Sequence, residues 1–157
     1  MTNRPVNIVF RFQSSVLGEE TIETLAAEAI SGMEGRYKIT SIPLYMPGVA
    51  CGDVVRAEHD AEENNFYCRE IIEPSGHSTV QVMLMHTTKN EETISGVFRE
   101  MGCGMASAGI GYFVLDVPAD LDYAPVKLKL EQLSRNGVLD YAEALLSDNH
   151  RPRYFVL

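Results

Sequence analysis

The chain contains no tryptophan and only three cysteines. Cys51, Cys68 and Cys103 are odd in number, far apart and in no C-x-x-C pair. That excludes a disulfide framework and a zinc site as organising features. No window approaches the roughly 18 uninterrupted apolar residues of a membrane span. The opening "MTNRPVNIVFRF" has too short an apolar run, and no small-residue cleavage site, for a signal peptide. Together these absences lead us to expect a cytoplasmic protein with reduced thiols, no metal and no cofactor. Positive charge is also scarce. Lys and Arg number 13 against 22 Asp and Glu, a net charge of −9, and the pI is near 4.8. Such a surface repels nucleic-acid phosphates and anionic membranes, and it attracts a basic protein.

What is present suits one domain. The length of 157 residues is enough to bury a core without a staple. "VNIVFRF" (6–12) reads as a strand. Residues 20–31 are open between helix and strand. Ile22, Leu25, Ala26 and Ala29 fit helical spacing, whereas Leu25, Ala27 and Ala29 fit alternation. "RYKITSIPLY" is a strand after a Gly-containing turn. "DVVRAEHD" and "NFYCREII" are strands joined by the polar "AEENN", and "STVQVMLMH" follows with Val80, Val82 and Leu84 on one face. The period then changes. Ile94, Val97, Phe98 and Met101 form a helix stripe, with Asn90 as its cap. "IGYFVLDVP" is a strand, and Asp122 caps a second helix through about Ser134, with Val126, Leu130 and Leu133 buried. "VLDY" is a last short strand and "AEALLSD" a last helical turn. Strands first and alternating elements later indicate α+β. The expected architecture is antiparallel hairpins forming a small curled sheet or barrel over residues 1–74. It packs on a β-α-β-α part, residues 75–157, that contains a split β-α-β as in ferredoxin-like folds.

Several segments carry a family resemblance. "YKITSIPLY" followed by "VACGDVVRAEHD", then "IIEPSGHSTVQVML", then "MGCGMASAGIGYFVLDVPADLDYAPVKLKLEQLSRNGVLDY" resemble a bacterial domain of unknown function, the one numbered 4265. The likeness spans about residues 6 to 143. Its first hairpin resembles residues 23–38, which favours strand there. Leu44 stands where that family often has an aromatic residue, and the "HRPRYFVL" tail is long. The resemblance implies a fold and no activity.

The "SGHST" segment (75–79) poses the chemical question. His77 could pair with Asp53 of "GDVV", with Ser75, Ser78 or Cys51 as nucleophile and the Gly76 N–H as oxyanion donor. The simpler reading is a chain corner: Gly76 supplies positive φ, the serines bond nearby backbone, and Asp53 holds a turn. "MGCGMASAG" lacks the third glycine of a dinucleotide loop and follows a helix, not a strand. Cys103 reads as a small packing residue. His59, His86 and His150 lack a partner at ligand spacing.

The acidic residues carry the functional expectation. Residues 18–35 hold Glu19, Glu20, Glu23, Glu28 and Glu34 with no Lys or Arg. Residues 53–73 hold Asp53, Glu58, Asp60, Glu62, Glu63, Glu70 and Glu73 against Arg56 and Arg69. If these hairpins share a sheet, they form one negative face that steers a basic partner. We therefore expect a bacterial immunity protein that neutralises a basic, nuclease-like toxin. Its contacts would run through Glu19, Glu20, Glu23, Glu58, Asp60, Glu62, Glu63, Glu70 and Glu73, with no nucleic acid and no membrane. The alternative is a small hydrolase or transferase built on His77.

Overall fold

A computed structural model describes residues 5–14, 17–86 and 91–152. The chain divides into two compact units, residues 1–75 and 76–157.

The first unit is a barrel of β1 (Pro5–Gln13), β2 (Glu20–Ala29), β3 (Arg36–Ile39), β4 (Val54–Asp60) and β5 (Asn65–Glu73). Neighbours pair antiparallel in chain order. Closing an odd-numbered meander brings its first and last strands together running the same way. Accordingly β1 and β5 pair in parallel through Ile8↔Phe66 and Val9↔Tyr67. Alternation puts Ile8, Phe10, Leu25, Ala27, Val55 and Ala57 inside. Two register shifts between β4 and β5 bend the wall, as bulges do.

The open stretch 20–31 is therefore a strand. Burying Leu25 and Ala27 on the barrel side decided between two patterns that both fitted the letters. β3 is shorter than "RYKITSIPLY" suggests. Beyond Ile39 the Thr40 N–H still donates to the Ala26 carbonyl at 2.9 Å, but the Ala26 N–H donates to the Ser41 hydroxyl at 3.0 Å, so there a side chain takes over from the ladder. The polar 61–64 turn joins β4 and β5 as its composition indicates, with Asn64 at φ 54°.

The second unit runs β6 (Ser78–Leu84), α1 (Glu91–Glu100), β7 (Gly104–Ser107), β8 (Tyr112–Val117), α2 (Ala124–Arg135) and β9 (Leu139–Leu145), then a 3₁₀ turn, Asp148–His150. Its sheet is antiparallel in the order β7-β8-β6-β9. Val80, Val82, Leu84, Phe113, Leu115 and Leu139 form a core with Phe98 of α1 and Val126 and Leu130 of α2. The unit is thus β-α-β-β-α-β and not the expected β-α-β-α. β7, which has no β-branched or aromatic residue, carried no strand signal. β9 absorbs both "VLDY" and most of "AEALLSD", because each residue from Leu139 to Ala142 faces one on β6. Asp122 bonds the Ala124 N–H at 3.1 Å, yet the residue in the cap position is Tyr123. The expected Asn90 cap and residues 153–157 of the "HRPRYFVL" tail lie outside the described residues.

Candidate functional site

The "SGHST" corner divides between the two units. In the first, Asp53 is 1% exposed. Its oxygens accept the Ala50 N–H at 3.0 Å and the Ser75 N–H at 2.8 Å. The Ser75 hydroxyl donates to the Cys51 carbonyl at 2.8 Å, and the Cys51 thiol is directed at the Ile39 carbonyl. Gly52 has φ +89°, and a Cβ there would meet the Ser75 Cβ at 2.9 Å. These contacts describe a turn locked by its own backbone bonds.

In the second unit, the carboxylate facing His77 is Asp116 of β8. Its two oxygens lie 3.0 and 3.1 Å from Nδ1. Asp116 is nearly buried within an otherwise apolar strand, and His77 is partly open. The Ser78 hydroxyl, fully buried, lies 2.6 Å from Nδ1 of His150 and accepts the Ser147 N–H at 2.9 Å. Nε2 of His150 donates to the Pro118 carbonyl at 2.9 Å, which leaves Nδ1 to accept from Ser78. Ser78 and His150 thus staple the 3₁₀ turn to β6 out of reach of solvent. Gly76 has the positive φ that the corner needs, and a Cβ would lie 2.8 Å from Asn149 Nδ2.

A groove of ≈ 670 Å³ in the same unit is lined by Tyr123, Lys127, Leu128, Glu143, Leu146 and His150, among others. Its polar groups serve one another. Glu143 accepts from the Tyr123 hydroxyl at 2.6 Å and from Lys127 Nζ at 3.1 Å. The Tyr141 hydroxyl donates to Glu131 at 2.9 Å, and the Lys127 ammonium sits 5.0 Å from the Tyr141 ring centre. Burial and the Glu143 charge push the Tyr123 phenol far up. Burial opposes the Lys127 charge, but the bonds to Tyr141 and Glu143 outweigh it and the ammonium holds its proton more tightly than usual. Among the described residues, no three His, Cys, Asp or Glu side chains form a group suited to a metal ion. No helix among them is long and apolar enough to cross a membrane.

The acidic residues expected to meet the partner all lie on the barrel unit. Glu58, Glu62, Glu63, Glu70, Glu73, Glu19 and Glu20 are exposed, and Asp60 is half-buried. Asp60 caps the turn by accepting the Glu62 and Glu63 N–H groups. Glu58 pairs with Arg56 at 2.9 Å and with Arg69 at 3.3 Å, and these bonds pull its carboxyl pKa down. Arg56 also reaches Glu70 at 3.5 Å. Glu23 does not stand with them. It points inward beside Phe10, and its carboxylate accepts the N–H groups of Leu44, Tyr45 and Met46 at 2.6 to 2.9 Å. A charge taken into a barrel end needs such donors, so Glu23 anchors the loop and is not a surface contact. Successive strands alternate in direction, so the β2–β3 turn, with Glu34, and the β4–β5 turn, with Glu62 and Glu63, lie at one end of the barrel. The turn after β1, with Glu19, lies at the other end.

Between those ends, on the outer wall, Tyr67 is flanked by two guanidiniums. Arg11 lies 5.2 Å and Arg69 5.9 Å from its ring centre, and its hydroxyl donates to Glu63. The composition of the hairpin pointed to its carboxylates and passed over this arginine–tyrosine cluster. Arg11 is distant in sequence, and only the parallel seam brings it there.

The model of the family described as a domain of unknown function, DUF4265, matches residues 23–141. The chain belongs to that family. No curated protein matches. A solved structure, described as a novel crystal structure of a hypothetical protein from Neisseria gonorrhoeae, is similar with a TM-score of 0.77 and 18% identity. The alignment covers 94% of this chain and 99% of that one, and at this identity the likeness shows the fold alone. DUF4265 membership confirms the resemblance read from "GDVV", "SGHST" and "DVP", and its description names no function.

Proposed function

We propose that this DUF4265 chain is a protein-binding module whose partner is a basic protein, and that its specific role is bacterial immunity against a nuclease-like toxin in the cytoplasm. One observation carries this reading. The β4–β5 hairpin presents Glu58, Asp60, Glu62, Glu63, Glu70 and Glu73 against only Arg56 and Arg69, while the buried carboxylates Asp53 and Glu23 are satisfied internally. Exposed carboxylates, even in surface ion pairs, contribute little to fold stability, but their excess over the arginines raises the encounter rate with a cationic protein. Within the same reading, the β-α-β-β-α-β unit with its β7-β8-β6-β9 order is a ferredoxin-like scaffold that bears no reaction of its own.

The test is co-expression with the product of the adjacent reading frame. A stable complex and restored growth support the role. A neighbour that neither binds nor harms growth removes it.

A second reading has one observation in its favour. Asp116 faces His77 Nδ1 with both oxygens, the arrangement that orients a general base. Under it, the chain is a hydrolase or transferase. Turnover of an ester or amide panel abolished by His77→Ala, with folding intact, would establish it. No turnover by the wild type would discard it.

A further inference from the structure

We infer that the centre of the partner-binding surface is the Arg11–Tyr67–Arg69 cluster on the β1–β5 seam, and that it takes a carboxylate from an otherwise basic protein. This rests on the proposed basic-protein partner and names what that partner must carry.

The cluster is preorganised. The Glu63 carboxylate takes the Tyr67 hydroxyl and so fixes the ring, and Arg11 and Arg69 lie within cation–π reach of it. A shallow hollow of ≈ 400 Å³ covers the cluster, bounded by Val9, Asp60 and Glu63. The register adds an apolar contact: Ile22, 58% exposed, sits directly across from Arg11 on β2. Tyr and Arg are the residue types that dominate interface energetics, and here they occupy the middle of a wall with carboxylates towards both ends.

The arginines differ in one respect. Arg69 is paired with Glu58, and Arg56 with Glu58 and Glu70. Arg11 is exposed, and among the described residues no carboxylate pairs with it. A guanidinium covered by a partner loses its water and needs an anion in return. This chain supplies none at Arg11, so the partner must. A planar fork of N–H donors makes carboxylate the matching group. The surrounding Glu58, Glu62 and Glu63 meet the partner's lysines and arginines. A purely cationic partner would leave Arg11 opposed by like charge, so the cluster sorts among basic proteins and does not merely attract them.

The test uses two synthetic peptides, KKGDGKK and KKGNGKK, titrated into the full chain at low salt and followed by amide NMR shifts. The aspartate peptide is expected to bind about fivefold more tightly, the size of one good exposed ion pair. It should also shift the Arg11 and Tyr67 resonances. Arg11→Ala, an exposed change that leaves the barrel core intact, should erase the preference while both peptides still bind. Glu62→Lys should weaken both equally. Equal affinity for the two peptides, or a preference that survives Arg11→Ala, overturns the inference and leaves the basic-partner reading standing. If neither peptide binds, the basic-partner reading fails and this inference falls with it.

Discussion

Cys103 shows how the surroundings of one residue decide its chemistry. Burial, with a smaller contribution from the Asp116 charge, pushes its thiol up from 9.0 to about 11. A thiol so placed is a poor nucleophile. In the native state it should resist a thiol reagent at pH 8 and react at once on unfolding, which absorbance of the released chromophore would report. The folded state holds this proton more tightly than the unfolded chain does. The associated stability is therefore fully present below about pH 9 and is lost as pH rises through about 11. Denaturation midpoints should fall over that window in the wild type, and less steeply in Cys103→Ala. Glu23 gives the matching case for a buried carboxylate. Its two oxygens accept three backbone N–H groups. Glu23→Gln puts a donor where an acceptor is needed, and should cost about 1–3 kcal/mol in urea unfolding. Glu19→Gln and Glu20→Gln, on exposed residues, should cost almost nothing.

At the scale of elements, the Ser78–His150 staple makes a sharp prediction. Ser78→Ala removes both the donor to His150 and the acceptor of the Ser147 N–H. It should destabilise by about 1–3 kcal/mol and speed hydrogen exchange at Ser147 and His150 before the β6 ladder exchanges. Gly76→Ala forces a side chain into φ +89° against Asn149 and Ala119, and should be at least as costly. Both changes test whether "SGHST" is a corner, because a corner loses stability when altered.

The elements also show what the letters disclosed. β4, β5, β6, α1 and α2 were legible because each has a clean period and a punctuating turn. β2 was ambiguous because alanines fit either period. β7 was silent because Gly104, Met105, Ala106 and Ser107 have no β-branched residue among them. β9 was half hidden because "AEALL" favours helix locally, and pairing with β6 overrode that preference. Among site residues, Asp116 was the missed partner of His77. Its only signal was a lone carboxylate inside "YFVLDV", where burial demands a reason. Arg11 and Tyr67 had no signal at all, since the parallel pairing that joins them is a long-range consequence of closing the barrel.

For the whole molecule, the balance of −9 resolves into parts. Some carboxylates are structural, namely Glu23, Asp53, Asp116 and Glu143, and each is tied to donors within its own unit. Apart from the half-buried Asp60, the rest of the acidity of residues 18–35 and 53–73 lies exposed on the barrel unit, most densely on the β4–β5 hairpin. The most direct test of the central claim is the association rate with the adjacent gene's product as a function of salt, for the wild type and for Glu62→Lys/Glu63→Lys. The account predicts a complex whose association rate falls about tenfold or more between low and high salt, and a slower, less salt-sensitive rate in the double variant. A rate indifferent to both salt and charge reversal would contradict it.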